Sequence, residues 1–94
     1  MITADQVRAT KWQTLSHVDF ARGGWGYLWE SIDVPGLQKK IWRPSRREHT
    51  RGALLVRGRP LGVYQLPDDG SRFPDEVYQW AADLLNQAPA ERAA

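Results

Sequence analysis

Apolar residues recur at two different spacings along the 94-residue chain, and these spacings separate predicted helices from predicted strands. Near the N-terminus, Thr3 and Gln6 stand three residues apart, as in a capping box that begins a helix. Apolar residues at positions 4, 7, 12, 15 and 18 then fall roughly on one side at about 100° per residue. The pattern predicts a first helix that ends between residues 16 and 20, before Gly23 and Gly24.

The middle of the chain predicts an aromatic-rich hairpin. Residues 25–32 alternate with a period of two and are rich in aromatic residues, which is typical of a strand. Pro35 and Gly36 follow in the order of a type II turn, and residues 38–43 predict the returning strand. If Val34 and Leu37 flank the turn, Ile32 lies opposite Lys39 and Trp29 lies opposite Trp42. In that register one face carries Trp25, Tyr27, Trp29 and Trp42, and the other carries Leu28, Ile32, Val34 and Ile41.

Two further strands and a helix are predicted in the second half. Residues 53–56 and 61–66 predict strands, joined by a tight turn at residues 57–59 in which Gly58 supplies a positive φ. Asp75 and Glu76 follow Pro74, a composition that favours a helix N-terminus. The apolar face of this second helix includes Trp80. Pro89 predicts its end, and residues 90–94 predict a disordered tail.

This order predicts a single α+β domain over residues 1–89. We expect a small antiparallel sheet of three to four strands, in two hairpins, flanked by an N-terminal and a C-terminal helix. No apolar run approaches the roughly 18 residues of a membrane span, and no signal peptide is evident, so we expect a cytoplasmic protein with no membrane partner. The absence of cysteine excludes disulfides and thiol catalysis.

The positive charge is concentrated in the middle of the chain. The formal net charge is only +2, yet residues 39–59 contain eight of the thirteen Lys and Arg residues and only one of the eleven acids. Such segregation creates a local positive field that suits an anionic partner. The alternative is a solvated basic loop that binds nothing.

The leading interpretation is a cofactor-free, non-enzymatic regulatory domain that binds nucleic acid, with DNA favoured, through residues 39–59. Lysine and arginine neutralise phosphates, and the arginine fork also reads base edges. The residues expected to neutralise phosphates are Lys39, Lys40, Arg46, Arg47 and Arg51. Those expected to make closer groove or base contacts are Arg43, Arg57 and Arg59, with Trp42 as a supporting or stacking residue.

The five tryptophans have two possible uses. Trp12 and Trp80 lie on apolar faces of the predicted helices, and we expect both in the core. For Trp25, Trp29 and Trp42 two interpretations remain open: a core face covered by the helices, or an exposed surface for stacked bases or a protein partner.

Candidate catalytic and metal-binding patterns are weak. Two histidines without cysteine seldom complete a metal site, so we expect no metal. Ser16, His17 and Asp19 are the residue types of a catalytic triad, but adjacency in sequence is not triad geometry. Glu48 and His49 could serve a small ribonuclease as base and acid, which is a third interpretation. The glycine-rich residues 21–26 precede a strand and so predict a turn and not a phosphate loop.

Two short stretches resemble known families. Residues 55–64, Leu-Val-Arg-Gly-Arg-Pro-Leu-Gly-Val-Tyr, resemble the strand-turn-strand of Phd/YefM-type antitoxins, which implies a homodimer on operator DNA whose tail blocks a toxin. A second resemblance is to the sheet-type DNA-binding domains of ethylene-response factors and phage integrase arms. It rests on three predicted strands that end at residues 61–64, followed by Trp80, Ala81 and Ala82 on a helix. That similarity implies a sheet in the major groove.

The second interpretation is a protein-binding regulator. A small bacterial or phage protein encoded by a mobile element, whether antitoxin-like or an inhibitor of a host factor, would place the same basic face against an acidic protein surface.

Overall fold

The structure, a computed structural model, describes residues 1–67 and 72–87. Its elements are α1 (Ala4–Ala9), β1 (Trp12–Asp19), a short 3-10 helix (Ala21–Gly23), β2 (Trp25–Ser31), β3 (Leu37–Arg43), β4 (Arg51–Val56), β5 (Arg59–Pro60), β6 (Tyr64–Gln65) and α2 (Asp75–Leu85). The α+β class with an antiparallel sheet and two helices is confirmed, although in the described residues the sheet has six strands where three to four were predicted. The predicted end of the second helix at Pro89 and the predicted disordered tail of residues 90–94 lie outside the described residues.

The first helix is shorter than its apolar pattern predicts. It begins at the predicted capping box, in which the Gln6 amide donates to Thr3 Oγ1 (3.1 Å) and the Thr3 amide donates to Gln6 Oε1 (2.8 Å). It ends at Ala9, and residues 12–19 form β1, so the prediction of one long helix was wrong. The apolar pattern was misleading because β1 contains a bulge between Thr14 and Ser16. The extra residue, Leu15, stands three positions from both Trp12 and Val18, and this spacing imitates that of a helix.

The sheet has the order β1-β2-β3-β4-β5, with β6 also paired to β4. In the β2–β3 hairpin, Trp29 lies opposite Lys39 and Trp42 lies opposite Gly26, so the predicted pairing of Trp29 with Trp42 was wrong by three residues. The connection spans residues 32–36 and is longer than the predicted turn. Because an odd shift moves side chains to the opposite face, Trp42 does not share a face with Trp29.

The last strands are shorter than predicted. The tight turn after β4 is confirmed, with Gly58 at φ 81°. Of the predicted strand of residues 61–66, only Tyr64–Gln65 (β6) is a strand, and the short strand β5 (Arg59–Pro60) precedes it. The Leu61 amide still donates to the Leu54 carbonyl of β4 (2.8 Å), and its side chain is buried in the core, with 1% of its surface exposed.

The two faces of the sheet have different coverings. Both helices pack on one face, which we call the helix-side face; its core residues are Val7, Leu37, Ile41, Leu54, Val56, Val77, Tyr78, Ala81 and Ala82. The alternate residues point to the other face, which we call the open face because neither described helix covers it. Its two central rows are Val18-Gly26-Trp42-Arg51 and Ser16-Leu28-Lys40-Ala53.

Helix α2 packs along a stripe of small residues. Ala81 and Ala82 are fully buried, so the helix lies close to the sheet along this stripe. Tyr78 is buried beside them, and its hydroxyl accepts a hydrogen bond from the Phe73 amide (3.1 Å).

Trp80 is 46% exposed, so its predicted place in the core was wrong. Trp12 is half-buried and packs against the core from β1, not from a helix. Neither described helix is long and apolar enough to cross a membrane.

The packing predicts different costs for two strand glycines. A Cβ atom at Gly52 would overlap Leu66 Cδ1 and lie 3.1 Å from Phe73 Cζ, whereas one at Gly26 would meet its nearest atom, Val18 Cγ2, at 3.4 Å. We expect Gly52→Ala to lower the free energy of unfolding by about 1–3 kcal/mol. Gly26→Ala should change it by no more than about 0.5 kcal/mol. Urea unfolding measures both, and equal losses would contradict this packing.

Candidate functional site

Five of the nine sequence-predicted contact residues lie on the open face or in the loop that follows β3. Lys40, Trp42 and Arg51 share the open face, where Trp42 pairs with Arg51 of β4. Lys40 Nζ lies 5.5 Å from the centre of the Trp42 ring. Arg46 and Arg47 follow in the loop of residues 44–50, which leaves β3 at the Trp42 end. The open face and this loop therefore combine Trp42 with four of the predicted cationic side chains.

Arg22 joins this group, although no sequence pattern pointed to it. It lies in the turn between β1 and β2, and its carbonyl accepts a hydrogen bond from the Arg46 amide (2.9 Å). Arg22, Ser45, Arg46 and Arg47 line an open pocket of about 580 Å³. Within the described residues none of these three arginines forms an ion pair with a carboxylate. We call Arg22, Arg46 and Arg47 the arginine cluster.

Arg22 lies beside Arg46 because β1 pairs with β2 and the turn between the two strands carries it there. The Arg-Gly-Gly sequence signals a turn, but the same residues would lie elsewhere if residues 12–19 were helical. Arg22 has a φ of 67°, so the turn holds it in a left-handed conformation.

The loop beneath the arginine cluster is held by Arg43. Arg43 Nε donates to the Glu48 carbonyl (2.8 Å) and Arg43 Nη2 donates to the Arg46 carbonyl (2.7 Å). The turn between β1 and β2 also packs against this loop, because a Cβ atom at Gly24 would overlap the Pro44 carbonyl oxygen. Arg43 is thus a loop-holding residue, and its guanidinium is not free for the base contact that the sequence predicted.

Lys39 lies apart from the cluster, on the helix-side face. Its Nζ lies 4.6 Å from the centre of the Trp12 ring and 4.9 Å from that of Trp29. Burial lowers the pKa of Lys39 below its ordinary value. The half-buried side chain thus packs against two tryptophans on the helix-side face and does not reach the open face.

Arg57 and Arg59 lie at the far end of the sheet from the arginine cluster. The Arg57 guanidinium donates to the carbonyls of Leu84 (3.0 Å), Leu85 (3.3 Å) and Gln87 (3.1 Å). These contacts satisfy carbonyls that the C-terminus of a helix leaves without partners. Arg57 therefore holds α2 against the β4–β5 turn, whereas Arg59 is exposed.

The helix-side aromatic residues stack on one another. The Tyr27 ring lies parallel to His17 (centroids 4.3 Å apart) and to Trp29 (5.2 Å), so these two rings cover both of its faces. Trp25 meets Tyr27 edge-on, and both Trp25 and Trp29 pack against the core. The sequence left two interpretations for Trp25, Trp29 and Trp42, a core face or an exposed surface. Trp25 and Trp29 pack against the core, whereas Trp42 lies on the open face.

The candidate catalytic groups are not assembled for catalysis in the described part of the chain. Ser16 lies on the open face and His17 on the helix-side face, so they do not form a nucleophile and base pair. The Glu48 carboxylate accepts hydrogen bonds from Ser45 Oγ (3.3 Å) and Arg51 Nη2 (3.2 Å). Within residues 1–67 and 72–87, no three His, Asp or Glu side chains lie close enough to hold a metal ion.

Comparison with protein-family models, curated proteins and solved structures finds no match to this chain. The partial resemblances at residues 55–64 and 80–82 therefore gain no support from a related protein.

The different surroundings of Arg57 and Arg59 predict different effects on stability. We expect Arg57→Ala to lower the free energy of unfolding by about 1–2 kcal/mol, because three carbonyls lose a charged donor. Arg59→Ala removes the same charge two residues away and should change it by no more than about 0.5 kcal/mol. Urea unfolding of both variants checks this pair; a loss on Arg59→Ala equal to that on Arg57→Ala would contradict the assignment.

Lys39 predicts a pH dependence of stability. Its pKa is lowered in the folded protein, so between that pKa and the ordinary value of 10.5 the unfolded chain binds more protons. The free energy of unfolding must rise with pH over that interval. We expect the stability of the native protein relative to Lys39→Met to increase from neutral pH toward pH 10.5. Parallel pH profiles of the two proteins, measured by urea unfolding, would exclude a buried Lys39.

Proposed function

We propose that the protein is a small, non-enzymatic, cytoplasmic domain that binds nucleic acid at the arginine cluster and the adjoining open face. The observation that carries the proposal is the meeting of three arginines, none ion-paired within the described chain, around one open pocket. Lys40 and Trp42 share the open face of β3, the strand from which the loop that carries Arg46 and Arg47 continues.

The chemistry of the cluster suits phosphate groups. A guanidinium presents a planar fork of donors that matches two phosphate oxygens, and it keeps its charge at every physiological pH. Arg22, Arg46 and Arg47 would bind backbone phosphates, with Lys40 as a further cation. Arg51 contributes less, because Glu48 Oε1 lies 3.2 Å from its Nη2 and offsets its charge.

The set of binding residues is smaller than the charge of residues 39–59 implies. Lys39, Arg43 and Arg57 have internal partners, and Arg59 lies at the opposite end of the sheet. With no assembled catalytic group in the described residues, the domain would regulate by occupying its target. No cofactor is needed for such a role.

A second candidate function is binding of an acidic protein. Two apolar side chains that shortly precede Arg22 in the chain are exposed: Val18 (50%) and Phe20 (44%). Exposed apolar groups beside cations suit a protein interface as well as a nucleic acid. Capture of one stoichiometric acidic protein that survives nuclease treatment, with no affinity for oligonucleotides, would favour this candidate.

Binding to labelled oligonucleotides tests the main proposal. We expect fluorescence anisotropy to show binding that weakens steeply with salt, and Arg46→Gln and Arg47→Gln each to reduce the affinity several-fold. Each substitution should also reduce the slope of log affinity against log salt by roughly 0.7–0.9, as one lost phosphate contact does.

Arg59→Gln is the matched control, since it removes the same charge from the opposite end of the sheet. It should change the affinity by less than about two-fold. The proposal fails if no oligonucleotide binds at low salt, or if Arg59→Gln weakens binding as much as Arg46→Gln does.

A further inference from the structure

The open face points to the class of nucleic acid that this site accepts. We propose that it binds single strands, with unpaired bases lying on the open face and the backbone held by the arginine cluster. This inference rests on the proposed function and extends it, because the cluster alone would serve a single strand and a duplex alike.

The open face forms a groove whose lining begins at Phe20, two residues before Arg22 of the arginine cluster. The groove has a volume of about 660 Å³ and runs from Phe20 and Trp42 across Leu28 to Leu55. Gly26 lies in its floor without a side chain, and the Phe20 ring lies over it, 3.5 Å from where a Cβ atom would stand. The end of the groove near Trp42 is the end at which residues 44–50 carry Arg46 and Arg47.

The charge of this floor does not suit a duplex. In the two central rows the cations are Lys40 and Arg51, and Arg51 is ion-paired with Glu48. A duplex presents a phosphate about every 1.7 Å along its axis, and the faces of its bases are stacked on one another. Bound to the open face, a duplex would therefore place its charged phosphates on apolar side chains. A single strand can turn its bases onto the apolar floor and keep its phosphates at the cluster.

Two aromatic rings of the open face have no aromatic partner in the described chain. Trp42 and Phe20 enter none of the ring pairs there, whereas Tyr27 on the helix-side face has both faces covered. The Lys40 ammonium lies 5.5 Å from the Trp42 centroid, close enough to add a cation to a stacked base. Small sheet domains that read single strands stack two or three bases on such rings.

The test compares one short sequence as a single strand, as the same strand annealed to its complement, and as RNA. We expect fluorescence anisotropy to show affinity for the single strand at least about ten-fold above that for the duplex. The comparison of DNA with RNA identifies which single strand is preferred, and preference for either over the duplex supports the inference.

Variants locate the bases on the open face. Trp42→Leu should weaken single-strand binding by about 5- to 100-fold, the effect of losing one stacked base. Phe20→Ser should act in the same direction. Trp80→Leu is the matched control, because Trp80 is an exposed tryptophan on α2, on the other side of the sheet, and should leave the affinity unchanged.

Tryptophan fluorescence gives an independent signal. A base stacked on an indole quenches its emission, so single-strand binding should quench the native protein. Trp42→Phe should lose most of this quenching, while Trp80→Phe should keep it. Thermal unfolding of each variant shows whether it retains the native fold before its binding is compared.

The possible outcomes separate the two proposals. Equal or tighter duplex binding, or unchanged single-strand affinity in folded Trp42→Leu and Phe20→Ser, would overturn the single-strand inference. Nucleic-acid binding would still stand if Arg46→Gln weakened it and Arg59→Gln did not. Absence of binding to every oligonucleotide would remove both proposals together.

Discussion

The register of the β2–β3 hairpin decides which side chains this protein presents to solvent. Its connection is held by Ser31, whose Oγ accepts a hydrogen bond from the Val34 amide (2.9 Å), and by the Thr10 hydroxyl, which donates to Asp33. That hydrogen bond from Thr10 is the main cause that lowers the pKa of Asp33. With this connection in place Trp42 lies opposite Gly26, on the face that neither described helix covers. A shift by one residue would exchange the two faces.

The same residue type has different roles in different surroundings. Arg43 and Arg57 donate to backbone carbonyls and stabilise a loop and a helix terminus, respectively. Arg46 and Arg47 extend from the loop that Arg43 holds, next to Arg22. A guanidinium without internal partners has its N–H donors available to a ligand. One that already donates to backbone carbonyls stabilises the fold and has fewer donors left for a ligand. Clustering of charge in sequence is therefore a poor guide to a binding surface until partners are known.

Local sequence signals were reliable where neighbouring residues decide the conformation. The capping box at Thr3 and Gln6, the tight turn at Gly58 and the start of α2 after Pro74 are all present. Predictions that depended on pairing were wrong: the bulge at Leu15 imitates helical spacing, and the long connection after Ser31 changes the hairpin register. Both features depend on which strand lies alongside, and spacing along the chain does not contain that information.

By itself, then, the sequence determined an α+β chain with aromatic strands and a basic middle third, because composition and short-range spacing set these properties. Only the tertiary structure decided that Lys39 packs between tryptophans while Lys40, its neighbour, lies on the open face. It also decided that Arg22 joins Arg46, 24 positions further along the chain. The physical reason is that strand pairing joins distant residues and alternates neighbouring ones between faces, so the site is a property of register and not of charge count.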